Sequence, residues 1–201
     1  MIDNIQIVLF FKPNTSFNPN QIAASINKKN SILGNAVVLP VNQNEPNMPI
    51  IIFNENKDVN LTVTSISTSL IFFEKDLQTH KKTIIDILNI FDHNSVSFSR
   101  IGIIITRSLP PSAIKKLKTT IFKDEEIIEA DDFLIAWHNT ILLDGTKYNC
   151  WERYFINSES KNLMSLFDIN TPMEETYYIN EDFIDKCITQ SIKYVNNKIK
   201  K

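Results

Sequence analysis

Residues 134–156 read LIAWHNTILL, then DG, then TKYNCWERYFI, so that two strand-like runs flank Asp144-Gly145. A two-residue hairpin turn needs a positive φ at both central positions, and an Asp-Gly pair adopts that conformation at low cost. The stretch therefore predicts a β-hairpin with strands over 134–143 and 146–156.

Working back from the hairpin, the chain alternates strand-like and helical patterns. A continuous apolar run with β-branched residues, Ile5 to Phe11, predicts a buried and central strand. The remaining patterns predict a helix after Asn18-Pro19, strands near 37–41 and 50–53, an antiparallel meander over 61–73, a helix near 77–91 and a strand over 98–106.

The last part of the chain predicts a firm amphipathic helix. Ile184, Ile188 and Val195 recur on one helical face, and Asn180 can cap the N-terminus. Glu181 and Asp182 at the start and lysines at the end complement the helix dipole.

Together these elements predict the α+β class. We expect a mainly antiparallel sheet with helices on one face, a late β-hairpin and a C-terminal amphipathic helix. With 201 residues and no flexible linker, residues 1–201 are expected to form a single domain.

Composition and charge limit the classes of function. A hydrophobic fraction of 43% is that of a globular protein, and a net charge of −2 argues against a large basic surface for binding nucleic acid. The chain has no basic leader and no long apolar stretch, which predicts a cytoplasmic protein without membrane contact. Cys150 and Cys187 lack the spacing of a zinc site or a disulfide framework.

The sequence contains no common cofactor or catalytic motif. Its three glycines, Gly34, Gly102 and Gly145, are too far apart to form a phosphate-cradling loop. There is no nucleophile elbow and no pair of histidines at helical spacing. We therefore expect no cofactor, and a non-enzymatic role is favoured.

A thiol enzyme using Cys150 with His138 is one alternative, because a thiolate beside an imidazole makes a nucleophile. A two-residue turn would place His138 opposite Trp151 and Cys150 opposite Asn139. Neighbouring strand positions point to opposite faces, so the two side chains would be separated unless the register slipped by one residue.

A metal-dependent nuclease is a second alternative. Asp144, Glu159 and Lys161 supply two carboxylates and a lysine, a set that can hold a divalent cation and position water. The spacing is loose, and Glu159 and Lys161 lie in a polar stretch that predicts a loop.

Two polar stretches offer binding roles. Lys115, Lys116 and Lys118 belong to a predicted short basic helix and could contact nucleic acid, but no aromatic residues are interleaved for stacking bases. The Ser/Thr ladder between Thr62 and Ser69 could be a sheet edge that accepts a partner strand, or an ordinary wet face.

The segment FSRIGI at 98–103 resembles part of a sporadically distributed group of bacterial proteins of unknown function, and LFDIN at 166–170 is similar to the way those proteins end. The resemblance implies no catalytic residues and a setting in phage defence, counter-defence or a toxin–antitoxin pair. Within the first segment, Arg100 can donate a fork of hydrogen bonds and Gly102 permits close packing or a bulge.

The leading hypothesis is a protein-interaction module that binds a protein partner or itself. It rests on the missing active-site motif and on the broad apolar face of the last helix. A metal-dependent nuclease or nucleic-acid binder is the alternative.

Overall fold

The computed structural model describes residues 2–29, 33–42, 44–55, 58–73, 77–110, 112, 134–156, 162–175 and 177–199. Within this part of the chain are nine strands and three helices. In chain order they are β1 Ile2–Phe11, α1 Pro19–Lys29, β2 Val37–Val38, β3 Ile51–Phe53, β4 Val59–Val63, β5 Ser67–Phe72, α2 Leu77–His93, β6 Phe98–Leu109, β7 Leu134–Leu143, β8 Thr146–Ile156, β9 Leu163–Asn170 and α3 Glu181–Ile199.

The nine strands form one continuous sheet in the order β2-β3-β4-β5-β1-β6-β9-β8-β7. Every described pair of neighbours is antiparallel. The first strand is central, as its apolar run predicted, and its side chains alternate between a buried face and a half-buried one. The α+β class and the mainly antiparallel sheet are confirmed.

All three helices lie on the same face of the sheet, which is the predicted arrangement. Helix α1 packs on α2 and β2, α2 packs on β5, and α3 packs on β6 and β7. Their buried side chains join the buried strand residues in one core, to which Ile26, Ile87, Ile184 and Val195 belong. None of these helices combines the length and apolar character needed to cross a membrane.

The hairpin of β7 and β8 has the predicted bounds and turn. Asp144 and Gly145 have φ values of 47° and 79°, and Leu143 lies opposite Thr146. The cap of the last helix also forms as predicted, because Oδ1 of Asn180 accepts a hydrogen bond from the backbone N–H of Phe183 at 2.9 Å.

The predicted meander over 61–73 is two strands, β4 and β5, joined by a tight turn. Oγ1 of Thr64 accepts hydrogen bonds from the backbone N–H groups of Ile66 and Ser67, at 3.2 and 3.0 Å, and so ends the first strand. Both strands have neighbours on either side, so the Ser/Thr ladder is not a sheet edge. Strand β9 was not assigned from sequence. It completes the sheet by inserting between β6 and β8.

Candidate binding surface

The sheet has a second face on which none of the three described helices packs, and we call it the open face. Strand alternation and register place on it the residues Gln6, Val8, Phe10, Ser69, Ile71, Arg100, Ile104, Asp168, Asn170, Trp151, Arg153, Leu134, His138 and Leu142. The face mixes aromatic, aliphatic and charged groups, in contrast to the nearly continuous apolar core on the other side.

Trp151 is an aromatic residue of the open face that is 41% exposed. The ring of His138 lies 5.0 Å from it, and Cζ of Arg153 lies 5.7 Å from the indole ring centre. Arg153 also pairs with Asp168, with Nη1 and Oδ2 3.7 Å apart. We call these four residues the Trp151 cluster, and it presents an aromatic plane with an adjacent ion pair.

Arg100 also lies on the open face, over the ring of Phe10 with Cζ 4.8 Å from the ring centre. Its Nε donates a hydrogen bond to the carbonyl of Thr171 at 3.2 Å. Burial lowers the pKa of the Arg100 guanidinium from its ordinary value, while Glu174 and Asp168 act in the opposite direction. The N–H donors of the Arg100 guanidinium are therefore only partly exposed to solvent.

A cavity of about 780 Å³ borders Arg100 at the end of β1. Phe10, Ile66 and Met173 supply apolar walls, and Lys12 and Glu175 supply charges of opposite sign. Met173 is 73% exposed, so this cavity is open to solvent.

Gly102 lies two residues after Arg100 in β6. It pairs with Val8 without a register shift, so it allows close packing and does not form a bulge.

The structure does not bring His138 and Cys150 together. His138 lies opposite Trp151 and Cys150 opposite Asn139, as a two-residue turn requires, so the imidazole is on the open face and the thiol in the core. Burial raises the pKa of Cys150 to about 12. A neutral, enclosed thiol is the opposite of an activated nucleophile.

The other predicted site residues are only partly described. Asp144 lies in the hairpin turn, and its Oδ2 is 3.0 Å from Nζ of Lys186 on α3. Glu159 and Lys161, and likewise Lys115, Lys116 and Lys118, lie outside the described residues. Among the residues that the structure describes, no group of three His, Cys, Asp or Glu side chains is arranged to hold a metal ion.

Sequence reasoning missed a buried carboxylate beneath α3. Glu152 is 1% exposed, and its Oε1 accepts a hydrogen bond from the Tyr194 hydroxyl at 2.8 Å and forms an ion pair with Nζ of Lys198 at 2.9 Å. Burial, followed by the bond to Glu152, raises the pKa of Tyr194 above its ordinary value. The signal was present in β8, where Glu152 has the same parity as Tyr148 and Cys150.

A groove of about 330 Å³ lies between the hairpin end and α3, above this carboxylate. Leu142 and Leu143 line one side, and Lys193, Tyr194 and Lys198 line the other. The ion pair of Lys198 with Glu152 occupies one wall, and both groups are satisfied by each other. The groove therefore holds a structural polar network and no assembled catalytic set.

Comparison with known proteins adds little to this geometry. No protein-family model matches this chain, and no curated protein matches it significantly. Among solved structures, Methanococcus jannaschii TBP aligns over 99% of this chain and 97% of its own, with 14% identity and a TM-score of 0.35. A similarity at that TM-score carries no conclusion about function.

Proposed function

We propose that this chain is a protein-interaction module that holds a partner protein on the open face, centred on the Trp151 cluster. The observation that carries the proposal is a partly exposed tryptophan beside an arginine on the sheet. Tryptophan and arginine are over-represented among the residues that dominate binding energy at protein interfaces. Sheet positions also hold such side chains more firmly than loops do.

The charge balance of the cluster supports a protein partner over nucleic acid. Arg153 faces the carboxylate of Asp168 at 3.7 Å, so its charge is already compensated, and a phosphate at the same place would meet that carboxylate. The whole chain has a net charge of −2. Binding to a nucleic-acid backbone depends on uncompensated cations that release condensed counterions.

Nucleic-acid binding is the second candidate function, and one observation favours it. Two arginine–aromatic pairs, Arg100 with Phe10 and Arg153 with Trp151, lie on the same sheet face. Such pairs suit single-stranded nucleic acid, whose bases stack on aromatic rings while arginines follow the backbone. A nuclease built on Asp144 would further require Mg²⁺-dependent cleavage.

A tagged pull-down with matched variants tests both functions. The bait is the wild-type chain, compared with Trp151→Ser and with Tyr178→Ser, which removes an aromatic side chain that is 84% exposed and lies outside the sheet. We expect one stoichiometric protein partner with wild type and Tyr178→Ser, and its loss with Trp151→Ser. Equal recovery with both variants would reject the Trp151 cluster as the binding centre.

The same pull-down samples also test nucleic-acid binding. Recovery of nucleic acid alone, with retention that falls steeply as salt is raised, would establish the nucleic-acid reading instead. The cellular setting of phage defence, counter-defence or a toxin–antitoxin pair belongs to the proposal as well. Preparing the bait with and without phage infection addresses it, because a partner tied to defence should change in amount or identity on infection.

A further inference from the structure

The two edges of the sheet differ sharply in length and chemistry. At one end, β2 has two residues, whereas β7 at the other end has ten. Strand β7 contains no Asp, Glu, Lys, Arg or Pro, and it pairs with β8 without a register shift. Soluble proteins usually protect long edge strands from pairing by charges, proline or bulges, and β7 has none of these.

The hairpin turn determines which backbone groups of β7 face outward. In a two-residue turn, the flanking residues Leu143 and Thr146 form a hydrogen-bonded pair, and such pairs alternate along the ladder. Odd-numbered residues of β7 therefore bond to β8, and even-numbered residues direct their N–H and C=O groups to the outer edge. In the described part of the chain, β7 has no strand on that side.

The side chains along this edge are complementary to themselves. Leu134 and Leu142, at the two ends of β7 on the open face, are 68% and 71% exposed. When two identical strands pair antiparallel about a two-fold axis, even-numbered residues lie opposite even-numbered residues and odd-numbered residues opposite odd-numbered ones. Full overlap places Leu134 opposite Leu142 of the second copy, at both ends of the interface. On the helix-bearing face it places Ile135 opposite Ile141.

We propose that two copies of this chain associate by antiparallel pairing of β7 with β7, centred on His138, to form one sheet across both copies. Each even-numbered residue then gains partners for both of its outward backbone groups. A strand without charged residues meets itself without like-charge repulsion, and both exposed leucines become covered. This interface uses the sheet edge and does not depend on a partner bound at the open face.

The occupant is a second copy because the match arises from the strand itself. A strand from another protein, or residues 113–133 of the same chain, would satisfy the backbone but would have no reason to match the positions of both leucines. Either would leave the purified protein without a β7-mediated dimer. The oligomeric state in solution therefore decides between them.

Light scattering coupled to gel filtration, with charge-swap variants, tests the interface. In the proposed register Ala136 lies opposite Thr140, so Ala136→Lys/Thr140→Lys sets like charges against each other twice, as does Ala136→Glu/Thr140→Glu. We expect wild type to be a dimer and each double variant to dissociate, with affinity weakened by roughly a hundredfold or more. Mixing the two variants should restore a heterodimer. The control Val37→Lys places one charge on the other edge strand and should leave the dimer intact.

A wild-type protein that remains monomeric at high concentration overturns the proposal, as does a lysine double variant that remains dimeric. Failure of the mixed variants to pair contradicts the register.

Amide hydrogen exchange on the wild-type protein gives a second measurement that needs no variant. The outer amides of Ala136, His138 and Thr140 should become protected as concentration rises, while those of Trp137 and Asn139 are protected throughout. Fast exchange of the outer amides at high concentration would exclude strand pairing.

Discussion

Nζ of Lys198, near the end of α3, lies 2.9 Å from Oε1 of Glu152, a carboxylate in the middle of β8 that is only 1% exposed. This pair connects the last helix to the sheet across the core. A buried charge without a partner is costly, whereas a paired and hydrogen-bonded one is tolerated. The pair therefore makes the docking of α3 depend on a polar contact as well as on apolar packing.

Replacing Lys198 removes the ammonium group of this pair and tests how far the docking of α3 depends on it. We expect Lys198→Met to lower the free energy of unfolding by roughly 1–3 kcal/mol, less than a fully buried pair would lose because Lys198 is still 40% exposed. The double variant Lys198→Met/Glu152→Gln should recover part of the loss, since the uncompensated charge is gone. Urea unfolding measures Lys198→Met, Glu152→Gln and the double variant, with Lys193→Met, an exposed residue of the same helix, as the control. A loss in the double variant as large as the sum of the single losses would show that the two groups are uncoupled.

The two cysteines should react slowly in the native protein. Cys150 and Cys187 are both 0% exposed, and burial raises their pKa to about 12 and about 11. Both thiols are therefore protonated at neutral pH and shielded from reagents. Labelling with a thiol-reactive chromophore at pH 7.5 should be about a hundredfold slower than in denaturant. Fast stoichiometric labelling of one cysteine in the folded chain would instead support the hypothesis of a thiol enzyme that uses Cys150 with His138.

The same burial predicts a loss of stability in alkaline solution. Unfolded thiols titrate near pH 8.5, whereas the native thiols retain their protons to about pH 11 and 12. The native state thus binds more protons in this window, so stability is complete below about pH 8.5 and falls as pH rises towards 12. Thermal unfolding at pH 8 and pH 10.5 measures the effect. The variant Cys150→Ala/Cys187→Ala should show a smaller drop between the two pH values, and an unchanged drop would assign it to other groups.

A side chain at Gly102 should destabilise the protein mildly because of one neighbour. A Cβ at this position would collide with Oδ1 of Asn170 on β9, whose Nδ2 is in turn hydrogen-bonded to Asp168. Oδ1 is the end of a side chain that can rotate away, with loss of the bond to Asp168, so we expect Gly102→Ala to destabilise the protein by about 1 kcal/mol, the low end of the cost of overpacking. Combination with Asn170→Ala should relieve most of the cost, and unfolding of the two single variants and the double variant forms a complete thermodynamic cycle. No rescue would place the strain in the backbone of β6 and not in this contact.

Local signals in the sequence were sufficient for several elements. Asp144-Gly145 predicted the hairpin, its register and the separation of His138 from Cys150, because a two-residue turn leaves a single pairing for the flanking strands. The apolar run from Ile5 predicted a central strand, and Asn180 predicted the start of α3. Each of these depends on interactions within a few residues or on burial of one strand, so a short window contains the cause.

Other features depended on partners distant in the chain. Strand β9, LMSLFDIN, has no clear apolar alternation, and its pairing partners β6 and β8 are identified only by the tertiary structure. Strand alternation in β8 indicates which face Glu152 is on, but the groups that pair with its carboxylate, Lys198 and Tyr194 of α3, are about 40 residues away in the chain. Likewise the sequence left open whether the Ser/Thr stretch is a sheet edge or a solvent-exposed face, and the strand order excludes the edge because β3 and β1 lie on either side of β4 and β5.

By itself, the sequence determined the α+β class, the hairpin and the capped last helix, since hydrophobic period, turn residues and capping groups are encoded locally. Only the tertiary structure decided which long strand ends the described sheet, which of its faces no described helix covers, and which charge is buried. Those properties follow from strand order, and strand order is set by packing among segments that include residues as distant in the chain as Ile2 and Arg107.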